Sequence, residues 1–145
     1  MNWQYVMIHH SLTKDGAVVD WNAIRRYHIE VQGWQDIGYH FGLEKVRDIY
    51  QVQVGRSLNL PGAHCKQNNM NSLAIGVCVV GNYDLVSPCP DQLTFLARAI
   101  IVPYLRKYDI PIKNVVTHHD YIPYKTCPGK LFSMDILRQI CTEML

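Results

Sequence analysis

Apolar and polar positions along this chain fall into blocks whose period switches between that of a strand and that of a helix. Gln4–His10 is rich in β-formers, with Tyr5, Val6, Met7 and Ile8 consecutive, and reads as a central strand buried on both faces. It ends in His9-His10-Ser11, followed by a turn-rich segment at 13–16. Asp20 is placed to cap a helix ahead of Trp21; Ile24, Tyr27, His28 and Val31 follow at helical spacing, and Gly33 is placed to end it. Tyr39–Glu44 alternates, which puts Tyr39, Phe41 and Leu43 on one face and His40, Gly42 and Glu44 on the other. A second strand, Ile49–Val54, pairs with it across a turn near Lys45–Asp48.

The segment Gly55–Ser72 is polar and irregular, a long loop of the kind that carries function. Ala74–Val80 is another all-apolar strand, closed by Gly81-Asn82. A helix enters at Ser87–Asp91, and Leu93, Leu96, Ala97, Ile100, Ile101, Tyr104, Leu105 and Tyr108 trace one face of it. Pro103 lies inside that pattern and predicts a kink. A short strand, Asn114–Thr117, and a final helix, Ser133–Glu143, complete the chain. In that helix Ile136, Leu137, Ile140 and Cys141 are expected inside, with Arg138 and Gln139 in water. Strands and helices intermix without repeats, linkers or low-complexity tracts. The expectation is one α/β domain over residues 1–145, with a central mixed β-sheet flanked by helices.

Composition narrows the function classes. Of 145 residues, 48% are hydrophobic and 18% charged, which fits a folded domain and excludes a disordered chain. A net charge of +2 without a concentrated basic face argues against a nucleic-acid partner. No apolar run reaches membrane-spanning length, and Met1–Ile8 lacks the charged start of a signal peptide, so a cytoplasmic product without stable membrane insertion is expected. Five scattered cysteines form no disulfide framework and read as thiols, with one a candidate ligand.

The candidate chemistry lies at two strand ends. Four of the seven histidines form adjacent pairs, His9-His10 and His118-His119. Neighbouring strand residues point to opposite faces, so one member of each pair can meet a common metal. Cys127, in a loop stiffened by Pro123 and Pro128, supplies a third donor. Three such ligands with one open position are the pattern of a catalytic zinc site. Spacing leaves open which histidine of each pair is the ligand. It also leaves open a thiol nucleophile with a histidine base, as in cysteine hydrolases.

YVMIHHS, GWQDIGYHF, GAHCKQNNMNSLAIGVCVVGN and THHDYIPYKTCPGKLF occur in that order and span nearly the whole chain. Together they resemble the type 2 family of zinc-dependent N-acetylmuramoyl-L-alanine amidases, which includes phage amidases and peptidoglycan recognition proteins. The resemblance implies that fold, with Zn2+ held by His9, His118 and Cys127. It implies catalytic assistance from Tyr39 and from Lys125, aligned backwards from Cys127. His10 and His119 are then supporting or surface residues. Peptidoglycan, glycan strand and stem peptide together, is the implied substrate. His64 and Asn71, in the polar loop, are candidates for contacting it, and each also fits an ordinary loop role. The implied setting is a monomeric phage or prophage endolysin, cytoplasmic until released to the wall. A non-catalytic peptidoglycan-binding module and a cytosolic muropeptide-recycling amidase are the rival roles.

Overall fold

The computed structural model describes residues 1–12 and 20–145, so the turn expected at 13–16 lies outside the described residues. Five strands form one sheet in the order β3-β2-β4-β1-β5: β1 Tyr5–His10, β2 Phe41–Val46, β3 Ile49–Val54, β4 Ala74–Val79 and β5 Val115–Thr117. β1 lies between β4 and β5 and is parallel to both; β2 is parallel to β4, and only β3 is antiparallel. The continuous apolarity of β1 and β4 follows from this central placement, because such strands are covered on both faces. β2 and β3 meet through a two-residue turn at Arg47-Asp48, both at positive φ (50° and 65°). That is the hairpin geometry whose twist matches the flanking strands.

Alternation divides the sheet. Val6, Ile8, Phe41, Leu43, Ile75, Val77, Val79 and Val115 point to one side. There they meet a helical layer made of α3 Pro90–Leu96, a π-helical turn Ala97–Ile101, α4 Val102–Tyr108 and α5 Met134–Met144. Leu96, Ile101, Leu137 and Cys141 are fully buried in it. Each such Leu or Ile contributes roughly 1.5–3 kcal/mol by leaving water. On the other side lie Met7, His9, Ala74, Gly76, Cys78 and Val116, partly covered by α1 Trp21–Arg26 and by the loop from 55 to the short helix α2 Met70–Leu73. No helix among the described residues is long and apolar enough to cross a membrane.

Four local expectations change. After α1 the helix continues as a π-helical turn, Tyr27–Val31, and Tyr27 and Val31 are 51% and 67% exposed rather than inward. A π turn carries extra residues and rotates the following positions off the 3.6-residue stripe. In the long helix the departure from α geometry falls just before Pro103, as the π turn Ala97–Ile101. Ile136 is half-exposed, whereas the Arg138 guanidinium donates to the Val115 carbonyl at 3.0 and 2.8 Å. An edge strand leaves backbone groups unpaired, and Arg138 satisfies this one. Finally, Tyr39 does not share a face with Phe41. β2 starts at Phe41, so the alternation does not reach back to Tyr39, whose ring packs beside Trp21 while Phe41 stacks on Tyr104.

Candidate metal centre

The site forms at the carboxyl ends of the parallel strands β1 and β5, the usual position for ligands in open α/β sheets. His9 is the last inward residue of β1 on the Met7 side, and His118 follows β5 on the Val116 side. Their rings are 4.7 Å apart between centroids. Cys127 Sγ lies 3.7 Å from His9 Nδ1. One donor atom from each of His9, His118 and Cys127 lies within 4.8 Å of the other two, forming a group that can hold a metal ion. Strand parity therefore selects one histidine of each pair, and it selects His9 and His118.

The other two members of the pairs hold the third donor. His10 turns to the opposite side of the sheet, where its Nδ1 accepts from the Tyr83 amide at 3.1 Å; its own backbone N–H donates to Cys127 Sγ at 3.4 Å. His119 is exposed, donates its backbone N–H to the Cys127 carbonyl at 2.9 Å, and donates from Nδ1 to the Lys125 carbonyl at 2.6 Å. Asp84, which the sequence reading did not single out, accepts from Thr126 Oγ1 and from the Lys130 amide, both at 2.8 Å. It brackets Cys127 from both sides. Nothing in the segment around Asp84 signals this role, because the pairing spans about forty residues of sequence.

Electrostatics favour ligand forms of the imidazoles. Burial holds His9 well below 6.5, with His64 and His118 adding to the effect. Burial and the Lys125 charge bring His118 down to about 4. Neutral imidazole is the form that binds metal. Burial pushes the Cys127 thiol up to about 12, opposed by the His10 amide and by Lys125. Catalytic thiols are instead built with depressed pKa values, so this environment does not make Cys127 a nucleophile. Two neutral nitrogens and one sulfur in reach of one point suit zinc.

A cleft of about 440 Å³ opens over the centre, lined by Tyr39, Leu12, Tyr124, Lys125 and the three donors among others. A second, of about 340 Å³, adjoins it through His118, Tyr124 and Lys125 and extends to Trp34 and Asn71. Neither is lined by a carboxylate among the described residues. Glu44 is occupied elsewhere, accepting from the Trp21 amide and from Gln53. Tyr39 stands 5.2 Å from His9 between ring centroids, and burial raises its phenol well above 10.

The two loop residues expected to contact substrate, His64 and Asn71, both border the second cleft. His64 is buried, and both ring nitrogens are engaged inside the protein, with His9 Nε2 at 2.9 Å and the Ala74 carbonyl at 3.1 Å. It offers a ligand no free nitrogen. Asn71 Oδ1 accepts from the amides of His64 and Cys65 at 2.7 and 2.8 Å, which fixes the loop turn at the border of the second cleft.

A family model described as N-acetylmuramoyl-L-alanine amidase matches residues 1–130. The endolysin of Enterobacteria phage T3 is 38% identical over 129 residues, which cover 86% of this chain and 79% of that one. The solved structure of N-acetylmuramoyl-L-alanine amidase LysC from Clostridium intestinale URNW is similar at a TM-score of 0.79 and 26% identity, covering 99% of this chain and 85% of that one. A variant of Drosophila PGRP-LB in complex with tracheal cytotoxin gives a TM-score of 0.70 at 26% identity, over 94% of this chain and 83% of that one.

Proposed function

Because the chain belongs to the N-acetylmuramoyl-L-alanine amidase family, we propose that His9, His118 and Cys127 hold a catalytic zinc ion in it. The reaction is hydrolysis of the amide that joins the lactyl group of N-acetylmuramic acid to L-alanine in peptidoglycan. The observation that carries this reading is the convergence of three donor atoms within 4.8 Å beside an open cleft. When bound, zinc supplies Lewis acidity, polarising a carbonyl and making water a stronger acid.

The chain's own residues supply the rest. The cleft and its neighbour leave room on both sides of the centre, as a polymer with a glycan and a peptide arm requires. Lys125 lies where they join, and its charge is close enough to depress both imidazoles. It is placed to stabilise the negative oxygen that develops when the amide carbonyl becomes tetrahedral. Tyr39 keeps its proton, because burial opposes phenolate. It can donate a hydrogen bond to that oxygen or orient the attacking water. No carboxylate lines either cleft among the described residues, and Lys125 and Tyr39 are the side chains placed there to manage charge and protons. The likeness to the phage T3 endolysin supports a lytic role, acting on intact wall.

Digestion of purified sacculi followed by mass spectrometry tests the reading. Products should carry a free L-alanine amine and an intact lactyl group. Chelation should stop the reaction, zinc should restore it, and Cys127→Ala should abolish metal binding and hydrolysis together. Cleavage that ignores chelation, or survives Cys127→Ala, would show that the ligand set is wrong.

A further inference from the structure

The His9 ring is gripped from behind by a second imidazole. His9 Nε2 lies 2.9 Å from His64 Nδ1, and His64 Nε2 lies 3.1 Å from the Ala74 carbonyl oxygen; both contacts are buried. His9 and His64 are 1% and 8% exposed, and no carboxylate bonds to either ring among the described residues, so both are neutral. A carbonyl only accepts, so His64 donates from Nε2. A neutral imidazole has one N–H, so His64 Nδ1 accepts. The proton between the rings then belongs to His9 Nε2. His9 Nδ1 is left as a bare lone pair, and it is the nitrogen 3.7 Å from Cys127 Sγ.

We propose that His64 is a positioning residue that fixes the tautomer and aim of His9, so that Nδ1 faces the metal. Metal-bound histidines commonly pass their other N–H to a carboxylate, a carbonyl or water. Here a second histidine takes that place and hands the polarity on to the backbone of β4. This inference rests on the zinc reading above.

The fold makes room for the relay. A Cβ at Gly76 would stand 2.5 Å from His64 Cδ2, and one at Gly62 would collide with the same carbon. Neither glycine has positive φ, so their backbone does not demand glycine; the imidazole between them does. Asn71 holds the amide of His64 from the third side. Replacing His64 by an apolar residue leaves His9 Nε2–H buried without a partner, and the ring free to present either nitrogen.

Two measurements test this on the intact chain. Imidazole ¹⁵N spectra of the metal-free wild type should show Nε2–H tautomers for both His9 and His64. Chelator competition should show zinc binding weakened roughly 10- to 100-fold in His64→Leu, with a comparable loss in Gly76→Ala. His64→Gln should stay within a few-fold of wild type, because its amide can accept from His9 and donate to Ala74. A His9 Nδ1–H tautomer, or His64→Leu binding zinc within about twofold of wild type, would overturn the relay. If His64→Leu does not fold, the wild-type tautomers and Gly76→Ala still decide. A wild type that binds no zinc would overturn the metal reading instead, and the tautomer spectra would report separately on the hydrogen-bond chain.

Discussion

At the scale of single residues, ligands and helpers separate by what each loses when changed. Cys127 is proposed as a donor, so its removal is expected to take the metal with it. Lys125 touches no donor atom through a hydrogen bond; its backbone is fixed by Ile122 and His119, and its side chain borders both clefts. Lys125→Ala is therefore expected to keep zinc and lower kcat on the order of 10²–10³-fold, the cost of one oxyanion donor. Zinc content by elemental analysis and turnover on muropeptide check it together; full turnover would remove Lys125 from the mechanism. Tyr39→Phe is expected to behave in the same sense, with metal retained and kcat reduced. An unchanged kcat would leave Tyr39 as a packing residue between Trp21 and His9. The sequence pattern reached one ligand per histidine pair without choosing between members. The choice depends on which side of the sheet the cleft occupies. That is set by residues far away in sequence, Cys127 for His9 and, for His118, the Met7, Cys65 and Met70 cluster that includes Val116, so neither histidine pair could reveal it alone.

At the scale of elements, the loop carrying Cys127 is held by contacts from three directions: His10, His119 and Asp84. Asp84 is the least local of these. Asp84→Ala is expected to leave the sheet folded and to weaken zinc binding roughly tenfold, because supporting contacts of this kind cost 10–100-fold in metal affinity. Chelator competition checks it, and unchanged affinity would mean that the loop keeps its shape without the staple. Strand identities, the hairpin and the helix starts at Asp20 and Ser133 were legible, because each has a local cause: an apolar run, a two-residue turn or a capping side chain. The π turn Tyr27–Val31 was not, since its sequence is that of an ordinary amphipathic helix. Nor was the inward turn of Arg138, which answers an unpaired carbonyl on β5. The burial of His64 was hidden for a related reason. A polar loop suggests solvent, and only the assembled sheet shows Gly76 and Ala74 drawing its ring inside.

At the scale of the whole molecule, several histidines are folded away in neutral form. His40 is fully buried and its pKa is lowered; burial takes His64 to about 3, against 6.5 in the unfolded chain. The folded state thus binds fewer protons than the unfolded one below pH 6.5. Stability from these groups is complete above that value and is lost as pH falls through it, at about 1.4 kcal/mol per pH unit for each fully neutral ring. The metal-free protein is expected to melt several degrees lower at pH 5.5 than at pH 7.5. Equal melting temperatures at the two values would show that these rings are charged in the fold.

The proposed binding of zinc by His9, His118 and Cys127 is tested most directly by crystallography. Crystals grown with zinc, measured on both sides of the zinc absorption edge, should give one strong anomalous peak in the cleft, in contact with those three side chains. A peak held by His10 or His119, or no peak beside Cys127, would contradict it.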